Sequence, residues 1–170
     1  EQYKLAKEIL SNLDYNELNN SLPQNNIILD RVNYLNKELG TNYISLNGIN
    51  WSYISKKQIL SENFIREFQD KVDWYIISEH QKLSENFIRE FVDKVDWYNI
   101  SGHQKLSEDF IREFKYKVDW FCISYQQILS ENFIREFADK VDWENISYKQ
   151  KLSEDFIREF ADEVYWWEIS

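Results

Sequence analysis

The chain has 170 residues and a mass of 20.8 kDa, about one domain by length. Its 20 Lys+Arg against 30 Asp+Glu give a formal net charge of −10, which disfavours a nucleic-acid backbone or an anionic membrane as the main partner. A hydrophobic content of 43% with 17% aromatics excludes a disordered acidic tail, and no apolar run approaches the ~18 residues of a membrane span. The first residues lack the apolar core of a signal peptide. Cys122, the single cysteine, cannot form an internal disulfide, and the expected location is intracellular, in a reducing compartment.

Residues 1–48 read as a divergent helical N-terminal capping segment. Leu5, Ala6, Ile9 and Leu13 stand at helical spacing, and Asp14, Tyr15 and Leu18 imitate a helix start. After Pro23 the pattern predicts a longer helix from about Asn26 to Leu39. Ile28, Val32 and Leu35 lie on one face of it, and Gly40 is its stop.

From residue 49 to 170 the chain is an array of five units of 23 residues and a partial sixth. Trp51, Trp74, Trp97, Trp120, Trp143 and Trp166 recur at that spacing, as do Phe64, Phe87, Phe110, Phe133 and Phe156. These two ladders are the expected structural core. A period of 20–50 residues signals stacked supersecondary units in place of one globular core. Each unit, for example VDWYIISEHQKLSENFIREFVDK, contains two helix starts. Asp73 caps the first, with Val72 and Ile77 as a hydrophobic staple; Ser84 caps the second, with Leu83 and Ile88. The first helix is expected to run about two turns and the second about three, through Phe87, Ile88, Phe91 and Val95.

One such unit cannot stand alone. Six or so buried large side chains gain roughly 1.5–3 kcal/mol each. Ordering the backbone of a unit costs about 1–2 kcal/mol per residue. The expected fold is therefore all-α, a right-handed superhelical α-solenoid of short helix-turn-helix repeats. A strand-plus-helix solenoid is the alternative, because the period falls in the leucine-rich-repeat range. Against it, the position two after Ile77 carries Lys56, Glu79, Gly102, Tyr125 and Tyr148 in successive units, which is no inward strand position.

No catalytic residue is nominated. Glu85, Arg89 and Asp93, and likewise Glu90 and Lys94, are spaced for i,i+4 pairs on a solvated face. His80 and His103 stand one unit apart, too far to share a metal if stacked helices sit ~8–10 Å apart. No P-loop, GxGxxG or zinc spacing occurs. The reading is of a chain without enzymatic activity, cofactor or metal.

Positions that differ between units are taken to mark exposed surface. The residue after each repeated tryptophan includes Tyr75, Tyr98, Phe121 and Trp167, and the next includes Ile76 and Cys122. With Tyr125 and Tyr148 these form the candidate protein-binding set, an aromatic stripe along successive first helices. The alternatives are an acidic nucleic-acid mimic and a structural array that self-associates through its C-terminal end, at Trp166, Trp167 and Ile169.

The tandem string LSENFIREFxDKVDWxxIS resembles the short repeat arrays encoded in many copies by giant DNA viruses, with similar tracts in some phages. The resemblance covers Ile49 to Ser170 and brings no catalytic residues with it. It implies a virus- or phage-type adaptor or inhibitor acting on a host or bacterial protein, such as an anti-defence inhibitor of a CRISPR-type nuclease.

Overall fold

A computed structural model describes residues 23–169; the helix starts read at Leu5–Leu13 and Asp14–Leu18 lie outside the described residues. Among the described residues there are eleven helices and no strand, so the chain is an all-α repeat solenoid. They are α1 (Pro23–Leu39), α2 (Trp51–Lys57), α3 (Glu62–Glu67), α4 (Trp74–His80), α5 (Glu85–Glu90), α6 (Trp97–His103), α7 (Glu108–Glu113), α8 (Trp120–Gln126), α9 (Glu131–Glu136), α10 (Trp143–Lys149) and α11 (Glu154–Glu159). The described residues divide into two compact units, 23–50 with 63–69, and 51–62 with 70–169.

In the smaller unit, α1 begins on Pro23 and stops before Gly40, whose φ of 63° suits glycine. Val32 and Leu35 are buried, as the periodicity predicts, whereas Ile28 is exposed. The Tyr34 ring lies 6.2 Å from both Phe64 and Phe68. Arg31 pairs with the Glu67 carboxylate at 2.9 Å and donates to the Glu67 carbonyl at 2.7 Å, its guanidinium 5.0 Å over the Phe68 ring.

In the larger unit, the first helices α2, α4, α6, α8 and α10 stack each on the next. Their N-termini are set as the capping chemistry predicts. Asp73, Asp96, Asp119 and Asp142 each accept from the backbone N–H three residues on, while Ser84, Ser107, Ser130 and Ser153 do the same for the second helices. The second helices are shorter than expected, at six residues. The chain leaves the helix at Phe91, where φ is −114°, and turns through Lys94 and Val95, both of which donate to the Phe91 carbonyl. Val95 stays buried, which is why the apolar spacing reads as continuous helix through a turn.

The tryptophan ladder also departs from expectation. Phe64, Phe87, Phe110, Phe133 and Phe156 are fully buried, but Trp51, Trp74, Trp97, Trp120 and Trp143 are half-buried. From Trp74 to Trp143 each indole lies over the next second helix: Trp97 is 6.2 Å from Phe110 and 5.0 Å from Phe114, and its Nε1 donates to the Val92 carbonyl at 3.0 Å. Trp166 is 59% exposed, more so than the five tryptophans before it. Residues 166–168 form a turn where a first helix is expected. Tyr165 stands there in place of the capping aspartate.

Polar side chains tie consecutive units. The Gln104 Oε1 accepts from the Leu83 N–H at 3.0 Å, and its Nε2 donates to the carbonyls of Ser78 and Gln81 at 3.0 and 2.8 Å. These are donors and acceptors that the end of α4 leaves orphaned, so each glutamine caps the preceding first helix from outside. Gln81, Gln127 and Gln150 repeat the three bonds. The Ser78 hydroxyl, fully buried, donates to the Trp74 carbonyl and accepts from the Asp96 N–H one unit on. Glu85 accepts from the Ser107 N–H at 2.6 Å, and Arg89 reaches Glu113 at 2.8 Å while lying 4.8 Å over Phe110. Arg89 therefore pairs between units as well as with its own helix neighbour Glu85, at 3.8 Å. At Glu131 the N–H and hydroxyl of Ser153, with Arg135 beside them, hold the carboxyl below the usual glutamate value. It thus remains ionised until the pH falls through that lowered value.

Gln104→Leu leaves Leu83 N–H and two carbonyls buried without partners, at about 1–3 kcal/mol each. The expected loss is about 3 kcal/mol or more in urea unfolding, and a loss below about 1 kcal/mol would contradict the role given to this side chain. Asn99→Ile has the opposite sign: the Nδ2 of Asn99 is buried without a hydrogen bond, and Ile76 occupies the equivalent site one unit earlier. A gain of about 1 kcal/mol is expected in the same measurement.

Candidate functional site

The aspartate cap fixes the direction of each first helix and therefore of the residue two after it. Tyr75, Tyr98 and Phe121 hold that position on α4, α6 and α8, with relative exposures of 58%, 59% and 59%. The three helices pack in sequence, so the rings form one row at the N-terminal end of the stack. Ser52 and Glu144 hold the position on either side; the Ser52 hydroxyl donates to Asp73 at 3.0 Å.

The next position is buried or half-buried from Ile76 to Asn145, contrary to the reading that variable residues are exposed, whereas Tyr53 of the first unit is 58% exposed. Cys122 is buried, with Asn99 and Asn145, and Ile76 is half-buried. Cys122 and Ile76 are thus removed from the exposed stripe. The Cys122 sulfur packs against Gly102 of the preceding helix, 3.7 Å from where a Cβ on that glycine would stand. Burial pushes the Cys122 thiol up to about 11, and a hydrogen bond to Asp119 and its negative charge add to the effect. The same thiol, with Asp119 and Tyr75, raises the Tyr98 hydroxyl above its ordinary value.

Tyr125 and Tyr148 lie elsewhere, at the C-terminal end of the first helices. The Lys149 ammonium sits 4.1 Å from the Tyr125 ring centre and 4.7 Å from that of Tyr148, so both faces already carry a cation. Trp167, 76% exposed, stands edge-on to Tyr165 at 5.0 Å, beside a cleft of about 530 Å³ lined by Trp143, Asp162 and Glu163 among others. The candidate set therefore separates into an exposed row, a buried Cys122 with a half-buried Ile76, a tyrosine pair beside Lys149 and a remote tryptophan.

His80 and His103 are exposed, and His80 lies 3.5 Å from Glu79. Among the described residues no group of three or more side chains could hold a metal ion, and no helix is long and apolar enough to cross a membrane. The glutamine and serine ties were not nominated from sequence, although Gln58, Gln81, Gln104, Gln127 and Gln150 recur every 23 residues without exception. That strictness was the available signal. The chain matches no protein-family model, no curated protein and no solved structure.

A thiol held at about 11 is ionised to roughly one part in a thousand at pH 8. Cys122 is expected to resist a disulfide reagent at that pH in the folded chain and to react promptly in urea. Equal rates in the two conditions would show that the thiol is accessible.

Proposed function

We propose that the chain is a non-enzymatic protein-binding repeat module, with Tyr75, Tyr98 and Phe121 as its contact row. The observation that carries this reading is the equal exposure of three large aromatic rings at one position on three consecutive helices. Each helix is held by capping, by the glutamine bonds and by the buried serine, so the rings are presented with little further ordering cost. Aromatic side chains on a fixed scaffold are the usual anchors of protein interfaces. The resemblance to viral and phage repeat arrays extends the proposal to an intracellular adaptor or an inhibitor of a host or bacterial defence protein.

The test is a tagged pull-down from the cell in which the protein acts, comparing the native chain with Tyr75→Ser, Tyr98→Ser and Phe121→Ser combined. Loss of anchors worth about 2 kcal/mol each weakens binding by a hundredfold or more, so a partner captured by the native chain should be absent from the variant. A partner that persists in the variant and elutes at moderate salt would assign binding to the acidic surface, as in nucleic-acid mimicry. No partner for either chain would leave a structural array as the better account.

A further inference from the structure

The turn between each first and second helix carries a charge opposite to that of the chain. Residues 56–60, 79–83, 102–106, 125–129 and 148–152, the last two residues of each first helix and the three that follow, form this junction in successive units. They hold Lys56, Lys57, Lys82, Lys105, Lys149 and Lys151, six of the chain's 20 lysines and arginines, but only Glu79 of its 30 acids. The glutamine ties set these turns side by side: Gln81 and Gln104 each bond the carbonyl of the glutamine one unit before. The lysines therefore line a single edge.

Most of these lysines also lack a carboxylate partner. Arg89, Arg112, Arg135, Lys117 and Lys140 have carboxylate partners. Among the described residues Lys56, Lys57, Lys82, Lys105 and Lys151 have none. Glu79, the one acid within these segments, faces His80, while Glu62, Glu85, Glu108 and Glu131 are held by the N–H of the serine that follows four of the segments. Clefts separate the turns, about 330 Å³ between 56–60 and 80–82, about 330 Å³ between 102–106 and 126–128, and about 600 Å³ between 125–129 and 149–151. Ile59 and Ile128 stand at the cleft edges, 101% and 96% exposed.

From these features we infer that the lysine edge is a binding track for an acidic polypeptide segment with interspersed aliphatic side chains. Unpaired ammonium groups call for carboxylates or phosphates, and the bare isoleucines call for apolar side chains, which a polypeptide supplies and a sugar-phosphate backbone does not. The Lys149 ammonium already lies against the Tyr125 and Tyr148 rings, which disfavours their use as base-stacking platforms. The charge density is also wrong for nucleic acid. At most two lysines per unit, and none in 125–129, would face a partner that carries a charge every ~1.7 Å, while the rest of the chain is strongly acidic. The edge lies at the end of each first helix, whereas the aromatic row sits near its start, so the two surfaces are separate.

The test uses the full chain and a fluorescein-labelled synthetic peptide of alternating glutamate and leucine, read by fluorescence anisotropy. A labelled single-stranded oligonucleotide of the same net charge is the comparison. The native chain is expected to bind the peptide more tightly than the oligonucleotide, and to lose affinity about tenfold or more between about 50 and about 300 mM salt. Lys82→Glu, Lys105→Glu and Lys151→Glu combined should abolish binding, and Ile59→Ser with Ile128→Ser should weaken it severalfold. The Lys→Gln versions of the same three positions decide the matter if the charge-reversed chain has an altered circular dichroism spectrum. The aromatic-row variant should bind the peptide as the native chain does, which keeps this inference separable from the proposed function. No binding by the native chain, or equal binding by the lysine variants, overturns the inference. Tighter binding of the oligonucleotide overturns the choice of a polypeptide.

Discussion

The three hydrogen bonds of each glutamine are the constraint on which the array depends. A seven-residue helix closes few bonds of its own, and its last carbonyls are orphaned. Gln104 satisfies those of α4 by reaching back from the following unit, and it takes up the Leu83 N–H in the same contact. The end of one helix is thereby completed by the next unit. Hydrophobic contact alone leaves the relative position of two stacked helices loosely set, because apolar surfaces are non-directional. Three directional bonds at a buried site are not tolerant of such sliding.

Around this tie the remaining polar groups divide the labour by depth. The buried serines join the body of one first helix to the cap of the next, while Glu85, Glu108 and Glu131 join second helices nearer the surface. The arginine–glutamate pairs are more exposed and contribute less individually. Their guanidinium groups cover the phenylalanine rings beneath, so they act as lids as much as charges. In the smaller compact unit, Arg31 does comparable work on Glu67 and Phe68 from a helix outside the repeat phase.

Much of this was legible in the residues, and the misses have physical causes. Asp73 and Ser84 announced the helix starts because their cap chemistry is local. The end of the second helix was hidden, since Phe91 and Val95 keep apolar spacing through a turn that buries Val95 just as a helix would. The glutamine tie was invisible to hydrophobic patterning, which assigns a polar side chain to the surface by default. Cys122 shows the limit of a related shortcut: variation between units does not by itself mark exposure, since Cys122, Asn99 and Asn145 differ and are all buried. Tyr75, Tyr98 and Phe121 are more than half exposed, as their variable position after each tryptophan led one to expect. The lysine edge was masked by averaging, a minority charge within an acidic whole.

Every bond between units joins residues a fixed distance apart along the chain, with Gln104 reaching back 21, 23 and 26 positions. Removing or duplicating one whole unit of 23 residues therefore regenerates the same junction on either side. Shifting the chain by a single residue misaligns every one of these ties at that junction. Such an array can change length by recombination between its own copies while its joints stay intact. An added copy extends the aromatic row or the lysine edge only if it carries the ring or the lysine, as Ser52, Glu144 and the lysine-free 125–129 show, so the span of the scaffold is set by copy number and the content of its surfaces by the few positions left free to differ.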